Sequence, residues 1–213
     1  MVSVVIPVYR DTDALVRTLD AAPLDGAEVV VAYTRDDRAS LASLHASRSD
    51  VVWVEAPRGR ARQMNAGAAA ARGDVLVFLH ADTVLPPQWR DEVATLERDP
   101  HASLGCFRFA LDSPSPIARV LELGVRVRVR LFRLPYGDQA LFVRRADFEH
   151  VGGYTDLPIM EDVDLVRRFR ARGRLYRSRH PAVTSARKWQ REGWIRQTAR
   201  NLWLITRYFA ASL

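Results

Sequence analysis

His80-Ala81-Asp82 directly follows the continuous apolar run Val75 to Leu79. Two side chains spaced i, i+2 at a strand end can converge on one divalent cation, which would neutralise a diphosphate. The ordinary alternative for such a triplet is a turn or a helix cap. Just upstream, Gly59 to Gly67 reads GRARQMNAG and opens a helix. Free N–H groups there, with Arg60 and Arg62, attract phosphate or form a plain solvated cap. Downstream, Met160-Glu161-Asp162 stands at another helix start, where carboxylates serve as a base or as cap and dipole partner. No GxGxxG follows Val8 and no GxxxxGK[ST] occurs, so a phosphate ligand needs a device other than a dinucleotide fingerprint or a P-loop.

The elements that carry these residues alternate. Ser3 to Val8 is a β-branched strand followed by a turn, and Asp11 caps an apolar-periodic helix holding Ala14, Leu15, Thr18 and Leu19. Glu28 to Ala32 is a second strand, Arg38 to Ser47 a helix, Val51 to Glu55 a third strand, Gly59 to Arg72 an alanine-rich helix and Val75 to Leu79 a fourth strand. Strands alternating with helices predict a mostly parallel sheet with right-handed crossovers, which binds ligands at the carboxyl ends of its strands. Beyond about residue 100 the pattern is less regular. Strands are predicted at Ser103 to Leu111 and Ala140 to Val143, and helices at Glu161 to Arg172, ended by Gly173, and at Gln190 to Ala211. Val125 to Leu134 reads VRVRVRLFRL, whose alternation argues strand, while Pro114 and Pro116 ahead of it allow a helix from near Ile117.

The 213 residues suit one α/β domain. With 48% hydrophobic and 27% charged residues, the composition excludes disordered and fibrous classes. Cys106 stands alone, which rules out an intrachain disulfide and a cysteine zinc site. The sequence MVSVVIPVYR enters a strand pattern without a charged leader, and no apolar run approaches the roughly 18 residues of a membrane span, so a cytoplasmic protein is expected. The net charge is +7, and all but one of the 32 cations are arginine, Lys188 being the exception. Anionic partners are expected: phosphate, membrane or nucleic acid. The arginines are spread along the chain and no nucleic-acid recognition fold is visible, so nucleic acid is not expected as a partner.

Five blocks carry a resemblance: SVVIPV (3–8), GRARQMNAGAAAARGDVLVFLHAD (59–82), YGDQALFVRR (136–145), GGYTDLPIMEDVD (152–164) and SARKW (185–189). In this order they resemble the family-2 glycosyltransferases, and more narrowly the small subgroup of arsenosugar-biosynthesis-type glycosyltransferases. The resemblance implies a Rossmann-like GT-A α/β fold with a mostly parallel sheet flanked by helices and a C-terminal amphipathic helix. It also implies an inverting transfer of a sugar from a nucleotide-diphospho-sugar to a hydroxyl acceptor; the acceptor itself, a small molecule or a lipid-linked one, is left open. One domain over 1–213 is expected, with a nucleotide-sugar half to about residue 100, an acceptor-side half over about 101–189 and the helix over about 190–213.

Carried over residue by residue, the metal motif falls on His80-Ala81-Asp82, with Asp82 as ligand and His80 where an Asp is usual. That implies Mn²⁺ or Mg²⁺ as cofactor, with imidazole tilting the choice toward manganese. Asp162 is the implied general base, beside Glu161. Donor contacts are implied at Pro7, Tyr33, Arg60, Arg62, Asn65 and Ala81, acceptor contacts at Gly137, Asp138, Gln139 and Trp189, and diphosphate stabilisation at Arg187. The chain departs from the family after its second strand, where Tyr33-Thr34-Arg35-Asp36-Asp37 replaces an acidic base-reading loop. A catalytically degenerate nucleotide-binding or anionic-membrane-binding protein on the same fold is the alternative. Trp194, Trp203, Tyr208 and Phe209 lie among Arg196, Arg200 and Arg207, a pattern that suits either a helix packed on the domain or peripheral contact with the inner face of a membrane.

Overall fold

A computed structural model describes residues 1–211; the last two residues of the segment 190–213 lie outside the described residues. The chain begins β1 (Val2–Val8), α1 (Thr12–Ala21), β2 (Glu28–Tyr33), α2 (Arg38–Ser47), β3 (Val51–Glu55), α3 (Arg60–Ala70) and β4 (Val75–Phe78). β1 pairs in parallel with β2 and β4, and β2 with β3. β1, β2 and β4 are buried on both faces and read as nearly unbroken apolar runs, whereas the edge strand β3 is half-buried and is marked in the sequence by its β-branched residues and Trp53. α3 lies close against the sheet because Gly67 leaves room for the Val5 side chain.

The second half adds β5 (Thr83–Val84), α4 (Trp89–Arg98), β6 (Ala102–Leu111), α5 (Pro116–Phe132), β7 (Leu141–Arg144), α6 (Arg145–His150), α7 (Glu161–Arg170), β8 (Arg174–Thr184), α8 (Arg187–Glu192) and α9 (Trp194–Ala211). All eight strands join one sheet in the order β3-β2-β1-β4-β7-β6-β8-β5. β7 runs antiparallel to β4 and β6, β8 runs parallel to β6, and β5 antiparallel to β8, so the sheet is mixed beyond β4. Helices cover both faces. One core cluster joins Leu15 and Leu19 of α1, Leu41 of α2, and Trp89 and Val93 of α4. The other joins Met64 of α3, Val129 of α5, Val166 of α7 and Ile205 of α9.

One reading left open by the sequence is decided and two differences from it have physical causes. Val125 to Phe132 lies in a helix, the second of the two open readings, opened by Ser115 with Pro116 in its first turn and closed by Arg133 in the left-handed region at φ 50°. Helical spacing turns Val125 and Val129 inward with Ala118 and Glu122, whereas Val127 and Leu131 are exposed. β8 has no strand signature in the sequence, because its stretch Arg174 to His180 carries three arginines and its pairing with β6 shifts register twice. The C-terminal helix is interrupted at Gly193, φ 87°, which separates α8 from α9. Among the described residues, no helix is long and apolar enough to cross a membrane.

Candidate active site

Strand register brings the motifs together. Because β4 and β7 are antiparallel with Phe78 opposite Leu141, the residues that leave β4, His80 to Asp82, meet those that enter β7, Gly137 to Gln139. β5 then pairs Thr83 with Thr184 at the end of β8, and the Ser185 N–H donates to the Asp82 carbonyl at 3.0 Å, which brings the 185–189 block alongside. The result is an open cleft of about 620 Å³. It is walled by the ends of β1 (Pro7, Tyr9, Asp11) and β4 (His80, Ala81, Asp82) and by the first turns of α3 (Arg60, Gln63) and α7 (Glu161, Asp162). Tyr136, Asp138, Lys188 and Trp189 complete its far side, with Gln197, Arg200, Asn201 and Leu204 of α9. A cleft at the carboxyl ends of parallel strands is the expected ligand position in such a sheet.

Asp162 is held in direction. Met160, left-handed at φ 64°, turns the chain into α7, and the Gly137 N–H donates to Asp162 Oδ2 at 2.6 Å. A Cβ at residue 137 would stand 2.7 Å from His80 Nε2 and 3.3 Å from Asp162 Oδ2, so only glycine fits between imidazole and carboxylate. The neighbouring Glu161 faces inward, 2% exposed, and takes a hydrogen bond from Arg60 at 3.1 Å. Burial raises the Glu161 carboxyl above its usual range against the pull of Arg60. Burial also works against the Arg60 charge, yet Glu161, Asp162 and Asp82 together hold its pKa above the ordinary value. Arg60 is thus a fixed cation at the carboxylate wall.

His80 and Asp138 each bring a buried, unpartnered atom to the cleft, Nε2 and Oδ1 respectively. Burial, helped by Arg60 and Lys188, lowers the His80 pKa to about 3, so the imidazole is neutral with a free lone pair or N–H. Burial raises the Asp138 pKa to about 6, with Arg128 opposing and Asp162 and Asp82 adding to the rise. Asp82 is raised by burial and by Asp11, and among the described residues no side chain hydrogen-bonds its carboxylate. Among the described residues no three His, Cys, Asp or Glu side chains form a metal cage. A free carboxylate and an unpartnered neutral imidazole in this open cleft instead fit a divalent ion that draws most of its shell from ligand phosphate and water.

Other residues singled out in the sequence lie elsewhere. Tyr33 packs edge-on against Trp53, 6.3 Å between centroids, outside the cleft lining. Arg62 forms an ion pair with Asp156 at 2.7 Å on the surface. Asn65 ties the 152–164 block to α3, donating to the Tyr154 carbonyl at 2.8 Å and accepting from its N–H at 2.9 Å. Gln139 is buried, donating to the Phe107 carbonyl at 2.9 Å, and so shapes the turn rather than facing the cleft. Arg187 reaches the rim through Asp11, at 2.5 Å. Conversely, Tyr9 and Asp11 at the end of β1, and Arg58, Lys188 and Arg200, line the cleft without having been singled out as contacts. Position just after β1 was the available signal for Tyr9 and Asp11; Arg58 stacks over the Tyr9 ring at 4.6 Å.

Comparisons with known proteins follow the same lines. The family described as Glycosyl transferase family 2 matches residues 3–151. Among solved structures, S. aureus TarS 1-349 in complex with UDP-GlcNAc superposes with a TM-score of 0.63 at 14% identity, over 86% of this chain and 58% of that one. TarS 1-349 in complex with UDP gives 0.63 at 13% identity, over 86% and 60%, and TarS 1-349 alone gives 0.58 at 13%, over 85% and 57%. The chain therefore spans under two thirds of the length of these TarS structures, and at such identity the likeness concerns the GT-A fold. No curated protein matches the chain significantly. With the family match covering more than half of the sequence and the fold in agreement, the chain belongs to glycosyl transferase family 2.

Proposed function

We propose that the chain is an inverting glycosyltransferase that moves a sugar from a nucleotide-diphospho-sugar to the hydroxyl of a small-molecule or lipid-linked acceptor. The observation that carries the reading is the meeting of Asp82, Arg60 and Asp162 in one cleft at the carboxyl ends of the strands. Inversion needs a base on the acceptor side and stabilisation of the departing diphosphate. Asp162, directed by the Gly137 N–H, accepts the acceptor proton as the new glycosidic bond forms and the bond to the diphosphate breaks. Arg60, held by Glu161, lies against the departing charge, with Lys188 on the facing wall.

Asp82 and His80 would hold the divalent ion, Mn²⁺ or Mg²⁺, which supplies charge neutralisation at the diphosphate. Asp138 and Trp189 offer an acceptor a buried carboxyl and an aromatic face, an arrangement suited to sugar hydroxyls and rings. Tyr9 under Arg58 is the aromatic surface available to a base. The TarS structures hold UDP-GlcNAc and UDP, which makes uridine the first nucleotide to try. The test is a screen of nucleotide-sugars for slow donor hydrolysis, read beside thermal stabilisation by UDP, GDP and ADP with Mn²⁺. Hydrolysis of one donor, lost on EDTA treatment and restored by Mn²⁺, is expected; hydrolysis of none, with no nucleotide stabilising the fold, would overturn the reading.

A further inference from the structure

α5 and α9 pack their inner faces into the same core cluster, through Val129 and Ile205, and Val125 and Trp194 share a second. Among the described residues nothing covers their outer faces. On α5, Ile117, Val120, Leu123, Val127 and Leu131 recur at helical spacing, and Val120 and Leu131 are each 67% exposed. On α9, Ile195, Leu202 and Phe209 recur every two turns, joined by Trp203, and Ile195 is 80% exposed. Apolar stripes of this extent on a folded domain mark a contact surface.

Charge decides the occupant. Next to the α5 stripe stand Arg126, Arg130 and Arg133, and next to the α9 stripe Arg196 and Arg207, none with a carboxylate partner among the described residues. The acid within α5, Glu122, is buried and paired with Arg119, and α9 contains no acid. A second copy of the chain docked face to face would set arginine against arginine. A nucleic acid would leave the apolar centre in water. A bilayer with anionic headgroups satisfies both features, since apolar side chains enter the acyl boundary while the arginines meet lipid phosphate.

We infer that α5 and α9 form an anionic-membrane docking face. The docking does not depend on the transferase reading. α9 turns Gln197, Asn201 and Leu204 toward the cleft and the apolar stripe away from it, with Arg200 at the rim. A bilayer on the outer stripe therefore lies beside the cleft mouth, where a lipid-linked substrate would be in reach.

The experiment is flotation of the purified full chain with vesicles of phosphatidylcholine alone and of phosphatidylcholine with phosphatidylglycerol. Flotation with the anionic vesicles only, weakened by high salt, is expected. Arg126→Gln with Arg130→Gln should weaken it about 25-fold, since each cation near the surface contributes about five-fold. Val127→Asp with Leu131→Asp should abolish it, and both pairs are exposed, so folding is spared. Arg17→Gln with Arg98→Gln removes the same charge from α1 and α4 on the opposite sheet face and should leave flotation unchanged. The inference is overturned if the chain does not float, if the Arg17/Arg98 pair weakens flotation as much as the Arg126/Arg130 pair, or if light scattering shows a dimer that Val127→Asp/Leu131→Asp dissolves.

Discussion

Asp162 and Glu161 are sequence neighbours with different surroundings. Glu161 points into the protein and is met by Arg60, while Asp162 faces the cleft with one oxygen fixed by the Gly137 N–H. The proposed base is therefore Asp162, and Glu161 is a positioning residue for Arg60. Asp162→Asn keeps an acceptor for Gly137 but removes the proton acceptor, so turnover should fall roughly 10²-fold or more. Nucleotide-induced thermal stabilisation should persist in that variant. Near-normal turnover would take the base role away from Asp162.

His80 and Asp138, two titratable groups of the cleft with a buried unpartnered atom, give opposite pH slopes. His80 is lowered to about 3 by burial, so the folded chain refuses a proton that the unfolded chain accepts. Its contribution is fully present above about pH 6.5 and is lost as pH falls toward the folded value. Asp138 is raised to about 6 by burial, so its contribution is present below about pH 4 and is lost as pH rises through 6. Between about pH 4 and 6 the slopes offset each other. Asp138→Asn should then raise the melting temperature by a few degrees at about pH 8 and change it little at about pH 4. His80→Asn should flatten the acid side of the same profile. Melting curves of both metal-free variants across this range check the signs.

At the scale of elements, the site depends on the reversal at β4 and β7. Parallel pairing there would send the Gly137–Gln139 turn to the far edge of the sheet, away from Asp82. β7 is fixed from its other side by β6, where Gly105 faces Phe142 and a Cβ would overlap the Phe142 ring. Gly105→Ala should cost about 1–3 kcal/mol by overpacking, read as a lower urea midpoint with an unchanged slope. α5 shows how far an element was legible. VRVRVR satisfies period two, yet Pro116 in the first turn and the apolar spacing Ala118, Leu121, Val125, Val129 favour a helix once β6 offers a surface to cover. β8 was hidden for the opposite reason, since its arginine-rich first half has no apolar signature and is recruited by pairing with the long β6.

For the whole molecule, one sheet carries both halves of the chain, with the β4–β7 pair as the seam. We propose that the chain folds as one domain with no boundary near residue 100. Thermal unfolding should then be a single transition with coincident near- and far-ultraviolet dichroism curves. Two separated transitions would assign the nucleotide-sugar and acceptor-side halves to independent units.

The sequence by itself determined the four parallel strands and their helices, because apolar strands and alanine-rich helices leave periodic signatures, and it marked out the blocks around Asp82 and Asp162, which line one cleft. It could not separate side chains that face the cleft from those that brace it. Asn65 and Gln139 lie within matching motifs yet hydrogen-bond to backbone, whereas Tyr9 and Lys188 reach the cleft. That division was decided by the antiparallel β4–β7 pair and the β5–β8 pair, contacts between residues up to about a hundred positions apart. Which face of a residue meets solvent depends on such long-range pairing, and local pattern carries no record of it.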